Sequence, residues 1–147
     1  MSDGGPMPPP GFEPFDRESP LLAPWRPIFM RNEPGQVVLG LEAREAHTNS
    51  RGTVHGGLYA ALADQAMGLS CGARLRAEGA QVEGLWTTSL GIDYLGAARP
   101  GQWLEFHTLF VHGGGRSSHA EMDITADGET VARARASFRV ALARGAA

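Results

Sequence analysis

A stretch of helical periodicity occupies the middle of the chain. From Gly57 to about Ala77, apolar residues recur four, four, three and four positions apart, which predicts a helix with one apolar stripe. Most other residues in this stretch are alanine, glycine or serine, and such small side chains let a sheet approach the helix axis closely. The stripe consists of Leu58, Leu62, Ala66, Leu69 and Ala73.

Five stretches alternate between apolar and polar residues, as expected of strands in an antiparallel sheet. Short connections separate the last four, with a hairpin signal at Asp127-Gly128 and a turn expected at Gly113–Gly115. The order of one strand, one helix and four strands predicts an α+β fold, in which one curved sheet wraps around the helix. The predicted strands span residues 36–43, 82–95, 103–112, 116–126 and 129–142.

Strict alternation divides the predicted strand 82–95 into two faces. Trp86, Thr88 and Leu90 fall on one face, whereas Thr87 and Ser89 fall on the other. Because successive side chains of a strand point to opposite sides, we expect Thr87 and Leu90 on opposite sides of the sheet.

The beginning of the chain is rich in proline and glycine. Five prolines and three glycines occur in residues 1–14, and proline lacks a backbone donor and fixes φ, so we expect no helix or paired strand there. Residues 1–18 are predicted to form a flexible tail and residues 19–147 a single domain. Three prolines between Ser19 and Arg31 forbid a long helix, but a short helical turn that anchors an apolar patch is expected. Asn32–Gly35 predicts a turn.

The composition narrows the class of protein. The 147 residues fit one domain, and 42% are hydrophobic, which is enough for a core. A net charge of −3 argues against general nucleic-acid binding, which needs a basic face. The single cysteine, Cys71, rules out an internal disulfide and fits a reducing compartment. No apolar run approaches the roughly 20 residues of a membrane span, and no signal peptide is evident, so we expect a cytoplasmic protein without membrane contact.

The candidate chemistry lies where the central helix begins. Gly56 and Gly57 close the preceding loop, and a helix start presents unpaired backbone N–H groups and the positive end of the helix dipole. Such a terminus suits an anion or an oxyanion. Asp64 follows about two turns later and is the only acid between Glu45 and Glu78. Because its neighbours are alanine, methionine and glycine, Asp64 is either an unusual buried acid or a residue that takes part in the chemistry.

The residues around this helix start resemble those of a known family. They follow the pattern N-x-x-G-x-x-H-G-G-x-x-x-x-L-x-D-x-x-x-G, which is similar to that of hotdog-fold acyl-CoA thioesterases of the phenylacetate-pathway (PaaI) type. The resemblance covers roughly residues 21–142 and implies one long central helix wrapped by a curved antiparallel sheet of about five to six strands. The matching residues are Asn49, Gly52, His55, Gly56, Gly57, Leu62, Asp64 and Gly68.

The resemblance also implies an activity and residue roles. An acyl- or aryl-CoA thioester would be hydrolysed to the free acid and CoA, with the Gly56 N–H polarising the thioester oxygen. Asp64 would be either the nucleophile or the general base for water, and it would face the loop of another subunit. Asn49 would orient substrate or water, with an Asx-turn role as the alternative. For His55, a structural role in holding the loop is favoured over direct proton transfer.

A hydroxyl on the strand after the helix is expected to contact the acid or the attacking water. Alignment with the family strand selects Thr87, with Thr88 and Ser89 as close rivals. The alternative is a threonine that only favours the strand conformation.

Further positions are expected to meet the substrate. Gly57 and Gly68 would border it, and Gly68 stands where some relatives carry a threonine. Arg116 and Ser117 would meet the nucleotide end of CoA because arginine suits phosphate, with Arg51 and Arg99 as further possibilities and plain surface charges as the alternative. Large side chains could line an acyl pocket or simply form core. These are Trp25, Phe29, Met67, Trp86, Tyr94 and Phe106.

Other chemistries are less well supported. No metal or redox cofactor is expected, since the five histidines form no H-E-x-x-H motif and have no cysteine partners. Residues 68–72 match the pattern G-x-S-x-G, but they lie inside a predicted helix rather than after a strand.

Two alternative functions remain: a hotdog domain that binds acyl-CoA without turnover, and a hotdog enoyl-CoA hydratase or dehydratase. We expect a homodimer or homotetramer with the site at the subunit interface, while the acyl group stays open.

Overall fold

One helix of 22 residues, α1 (Gly56–Ala77), packs against a single antiparallel sheet of seven strands. The computed structural model describes residues 7–17 and 19–143. Two short 3-10 helices, Ala23–Trp25 and Glu45–His47, precede α1. The strands are β1 (Glu13–Pro14), β2 (Phe29–Glu33), β3 (Gln36–Glu42), β4 (Val82–Tyr94), β5 (Trp103–Gly114), β6 (Ser117–Ala126) and β7 (Glu129–Leu142). Their order in the sheet is β1-β2-β3-β5-β6-β7-β4.

The predicted central helix is confirmed, and it begins one residue early, at Gly56. His55 caps it, because its Nδ1 accepts a hydrogen bond of 2.8 Å from the Gly57 N–H. The helix ends at Ala77 and Glu78 caps it, and Gly79 follows with a φ of +94°, a conformation that suits glycine after a helix. Within the described ranges, no helix is long and apolar enough to cross a membrane.

The core lies between α1 and the inner face of the sheet. Alternate residues of the central strands are buried there, because a strand with one face on a helix alternates between core and solvent. Burial of these side chains holds the helix along the sheet. They include Leu39, Leu41, Leu104, Phe106, Met122, Ile124, Ala134 and Phe138.

Ser70 and Cys71 of the G-x-S-x-G segment lie inside α1, as expected, and both are buried. The Ser70 hydroxyl accepts a hydrogen bond from the Val37 N–H and donates one to the Val37 carbonyl, at 3.1 and 3.3 Å. Burial raises the pKa of the Cys71 thiol, which opposes formation of a reactive thiolate. Ser70 therefore links α1 to β3, and Cys71 fills part of the core. Because both side chains are buried, neither is an exposed nucleophile.

The sheet has more strands than the five to six expected, because β1 and β2 were not predicted. The expectation of no paired strand in residues 1–14 is wrong at Glu13 and Pro14, which pair with Met30 and Phe29. Such a two-residue edge strand tolerates proline, whose missing donor is not needed on the outer side. Phe12 and Phe15 are also buried, so this part of the predicted tail lies packed on the sheet. Residues 1–6 lie outside the described residues.

The turn expected at Gly113–Gly115 begins later. Gly113 and Gly114 belong to β5, and the turn consists of Gly115 and Arg116. Gly113 has a φ of +146°, and a Cβ at this position would lie 2.5 Å from the Ser117 carbonyl oxygen. The glycine is therefore required by the close approach of the two strands.

The two faces predicted for β4 are wrong, since a β-bulge interrupts the alternation. Thr87 pairs with Phe138 and Ser89 with Ser137, so Thr88 is an extra residue on its strand. Two contacts confirm the change of face: Thr87 hydrogen-bonds to Asp64, and Tyr94, seven positions later, hydrogen-bonds to Gly56 on the same helix. Strict alternation would put residues seven positions apart on opposite faces.

Candidate active site

Asp64 and Thr87 form the polar centre of a cleft between α1 and β4. The Thr87 hydroxyl donates a hydrogen bond of 2.5 Å to Asp64 Oδ1. Asp64 is half-buried, and the cleft around the pair has a volume of about 380 Å³. No donor in the described part of the chain bonds to Asp64 Oδ2. One carboxylate oxygen is thus fixed by a charge-assisted hydrogen bond, and the other faces the cleft.

The structure distinguishes the three candidate hydroxyl groups on β4, those of Thr87, Thr88 and Ser89. Thr88 donates a hydrogen bond of 3.1 Å to the Ser137 carbonyl oxygen, away from α1. Ser89 pairs with Ser137, on the sheet face that points away from the helix. Of the three candidates, only Thr87 is brought to Asp64.

Gly56 begins α1, and its carbonyl oxygen accepts a hydrogen bond of 2.8 Å from the Tyr94 hydroxyl. Within residues 7–17 and 19–143, no group accepts a hydrogen bond from the Gly56 N–H. A Cβ on Gly56 would lie 3.0 Å from the Tyr94 hydroxyl oxygen. The amide is therefore available to an external oxygen, and Tyr94 leaves little room for a side chain. The contact with Tyr94 was not predicted, since the bulge that creates it leaves no clear signal in the sequence.

Asn49 and His55 organise the loop that leads to Gly56. The Asn49 side-chain oxygen accepts hydrogen bonds from the N–H groups of Arg51 and Thr53, at 2.9 and 3.2 Å. Its amide donates to the Thr53 hydroxyl at 3.0 Å. His55 uses its Nδ1 to cap the helix. Asn49 thus makes the contacts of an Asx turn, and His55 makes those of a residue that organises the loop.

The remaining candidate positions lie in different places. Gly68 lines the Asp64 cleft, where a Cβ would make an ordinary contact of 3.5 Å with the Phe138 ring. Gly57 lines a second cavity of about 330 Å³ beside the helix start. Arg116 and Ser117 are exposed at the β5–β6 turn, and neither is among the described residues that line these two cavities.

Charged residues that were not singled out border the Asp64 cleft. Arg17, Arg76 and Glu83 line it together with Asp64 and Thr87. Arg17 comes from the segment predicted to be a tail, and no motif marks it. In residues 7–17 and 19–143 there is no group of three or more His, Cys, Asp or Glu side chains that could hold a metal ion.

Gly56 and Asp64 of one chain lie far apart along α1. Eight residues along a helix correspond to a rise of roughly 12 Å. Asp64 opens into the cleft on the β4 side, whereas His55 and Gly57, the neighbours of Gly56, line the second cavity. A single small reacting group therefore cannot contact both residues of one chain.

Comparison with known sequences identifies relatives over most of the chain. The sequence profile described as "Thioesterase superfamily" matches residues 51–133. A Pseudomonas aeruginosa protein named "Putative esterase" is 36% identical over 133 residues, which cover 90% of this chain and 96% of that protein. Human acyl-coenzyme A thioesterase 13 is 32% identical over 106 residues, which cover 69% of this chain and 71% of that protein.

Solved structures share the fold. A hypothetical thioesterase of Streptococcus pneumoniae, crystallised with coenzyme A, has a TM-score of 0.69 and 25% identity, and the match covers 80% of this chain and 91% of that one. A mutant of the phenylacetic acid degradation protein PaaI from Thermus thermophilus has a TM-score of 0.70 and 24% identity, over 82% and 98% of the two chains. The hotdog fold is thus confirmed, and with a profile match over more than half of its length this chain belongs to the thioesterase superfamily.

Proposed function

We propose that the protein is an acyl-CoA thioesterase, which hydrolyses an acyl- or aryl-CoA thioester to the free acid and CoA. Family membership and the named activity of the human relative support this reaction class. The observation that carries the proposal is the Thr87–Asp64 hydrogen bond, because it orients a half-buried carboxylate whose second oxygen faces an open cleft. We also propose that it acts in the cytoplasm, since a single buried cysteine fits a reducing compartment.

The chemistry requires an oxyanion site and a nucleophile. The Gly56 N–H would donate to the thioester oxygen and stabilise the negative charge that develops there, at the positive end of α1. Asp64 would either attack the carbonyl carbon to give an anhydride or remove a proton from the attacking water. In both routes the CoA thiolate leaves, and in the first route water then hydrolyses the anhydride, which releases the acid and restores the Asp64 carboxylate. The Thr87 hydroxyl keeps this carboxylate oriented through their hydrogen bond.

Two subunits would build each site. Because Gly56 and Asp64 of one chain lie roughly 12 Å apart along α1, Gly56 of one subunit and Asp64 of another would converge on the carbonyl group. The exposed edge of the sheet supports this association: β4 ends the strand order, and Trp86 on it is 57% exposed. An edge strand with exposed apolar side chains is suited to pairing. We therefore infer a homodimer or homotetramer with the site at the interface.

The direct test replaces the carboxylate. We expect Asp64→Asn to lower kcat by about 10²- to 10⁴-fold, which is the usual contribution of a positioned acid or base. The measurement is thiol release over a panel of short, medium, long and aryl acyl-CoAs. Asp93→Asn is the matched control, since Asp93 is an exposed carboxylate on the outer side of β4 that contacts Arg135 at 3.7 Å.

Three outcomes would contradict the proposal. Full activity of Asp64→Asn would remove Asp64 from the reaction. CoA binding without thiol release by the unmodified protein would indicate a non-catalytic binding domain. Addition of water to an enoyl-CoA would indicate a hydratase.

A further inference from the structure

The cavity beside the start of α1 differs in character from the Asp64 cleft. The cleft carries Asp64, Arg17, Arg76 and Glu83. The described residues that line the cavity include no aspartate, glutamate, lysine or arginine, and its walls are largely apolar, with Trp25 among them. A cavity of this kind favours an apolar group over a phosphate or a pantetheine amide.

We propose that this cavity holds the acyl group of the substrate and that Trp25 and Leu21 set the largest acyl group accepted. This inference rests on the proposed thioesterase function. Gly57, Leu58 and Ala61 of the first turns of α1 form one wall of the cavity. The residues on both sides of Gly56, His55 and Gly57, thus border the cavity, which puts an apolar space next to the amide that would bind the carbonyl oxygen.

The opposite wall comes from the segment that contains Trp25, and one short turn fixes it. The guanidinium of Arg44 donates to the carbonyl oxygens of Pro24 and Arg26, at 3.1 and 2.7 Å. His47 Nε2 lies 3.0 Å from the Trp25 carbonyl oxygen, and its Nδ1 accepts a hydrogen bond from the Arg44 N–H at 3.0 Å. The three successive carbonyl groups of residues 24–26 are therefore held, which fixes the backbone that carries the Trp25 side chain.

The tautomer of His47 follows from these contacts. Nδ1 accepts, so Nε2 carries the proton and donates to Trp25. Burial lowers the pKa of the His47 imidazole, with a further lowering from the Arg44 charge and an opposing effect of the bond to Trp25. His47 is thus a neutral positioning residue that keeps Trp25 in place.

The volume of the cavity limits the acyl group. At about 330 Å³ it lies at the small end of ligand pockets, which measure roughly 300–1,000 Å³. A pocket of this size suits a medium-length alkyl chain or an arylalkyl group better than a long acyl chain. Leu21 is 65% exposed at the mouth, where a larger side chain would restrict entry.

Two variants change the cavity in opposite directions. We expect Trp25→Ala to raise kcat/KM for dodecanoyl- and tetradecanoyl-CoA by about ten-fold or more, with butyryl-CoA unchanged, because pocket contacts discriminate by about this factor per group. We expect Leu21→Trp to lower kcat/KM for octanoyl- and decanoyl-CoA by a similar factor and to spare acetyl-CoA. Since Leu21 lies on the surface, this second variant tests the proposal even where Trp25→Ala fails to fold.

Leu109→Trp is the matched control, because Leu109 is 61% exposed on β5 and lies outside the cavity. Its acyl-length profile should equal that of the unmodified protein. Active Leu21→Trp and Trp25→Ala enzymes with unchanged profiles would overturn the acyl assignment and leave the thioesterase function intact. An unmodified protein that hydrolyses none of the acyl-CoAs would overturn the proposed function, and the acyl assignment with it.

Discussion

At the scale of single residues, Thr87 differs from its neighbours in the contact its hydroxyl makes. It donates to a carboxylate, whereas the Thr88 hydroxyl donates to a backbone carbonyl. A hydrogen bond to a charged group contributes more than one between neutral groups. Thr87 therefore controls the orientation of Asp64, and Thr88 stabilises the bulge.

This difference predicts the effect of removing each hydroxyl. Thr87→Val should lower kcat by about 10- to 100-fold with little change in KM, since a hydrogen bond to a charged group is worth roughly 1.5–3 kcal/mol. Thr87→Ser should retain most of the activity because it keeps the donor. Steady-state kinetics with a well-accepted acyl-CoA would show this, with Thr88→Val as control. Equal losses in the two valine variants would argue against a specific role for Thr87.

At the scale of elements, the helix and the long strands were predictable, and the edge of the sheet was not. Hydrophobic spacing marks α1, and alternation marks β5, β6 and β7, because each has one buried face. β1 and β2 lie among prolines, and their pairing depends on distant residues such as Gly40, whose missing side chain makes room for Trp103. The bulge at Thr88 depends on the partner strand β7, so local alternation could not reveal it.

The same contrast between local patterns and distant contacts applies to the residues of the site. The motif indicated Asp64 and Gly56, and alignment with the family strand selected Thr87 with two close rivals. The structure brings Asp64 and Thr87 together. The segment that borders the second cavity was anticipated only as a short helical turn, although Trp25 was among the candidates for an acyl pocket. Its position depends on hydrogen bonds from Arg44 and His47, which no local pattern encodes.

The β5–β6 hairpin gives a prediction at this scale. Gly113→Ala should lower the free energy of unfolding by about 1–3 kcal/mol, because an alanine there needs a strained φ and meets the Ser117 backbone. Denaturant titration would measure the change. Gly114→Ala is the control, since nothing lies within 4 Å of a Cβ at that position. Equal stability of the two variants would show that the close approach of the strands relaxes at little energetic cost.

At the scale of the whole molecule, the proposed site requires residues from two subunits. Any side chain at Gly56 brings a Cβ to 3.0 Å from the Tyr94 hydroxyl oxygen, so Gly56→Ala, which adds this Cβ and keeps the N–H, is the matched control. Gly56→Pro adds the same Cβ and also removes the amide N–H, and proline is tolerated at the first helical position, where His55 already has a compatible ψ of 135°. Its activity should fall by about 10²- to 10³-fold, as for loss of an oxyanion donor.

Mixed oligomers then test where the site lies. When Gly56→Pro and Asp64→Asn subunits are unfolded together and refolded at equal amounts, half of the dimers are mixed and each contains one intact shared site. Activity should return to about a quarter of that of the unmodified protein. A mixture as inactive as its two components would show that each site lies within a single chain.

The clamp made by Arg44 and His47 has a consequence for how this protein can diversify. These two side chains hold the carbonyl groups of residues 24–26, and the segment 21–26 precedes the region that the superfamily profile matches, which begins at residue 51. Under the proposed assignment, selectivity and bond cleavage are encoded in separate parts of the chain. Exchange of this short segment, with Arg44 and His47 retained, would then change which carboxylic acids are released, while Asp64, Thr87 and Gly56 stay the same.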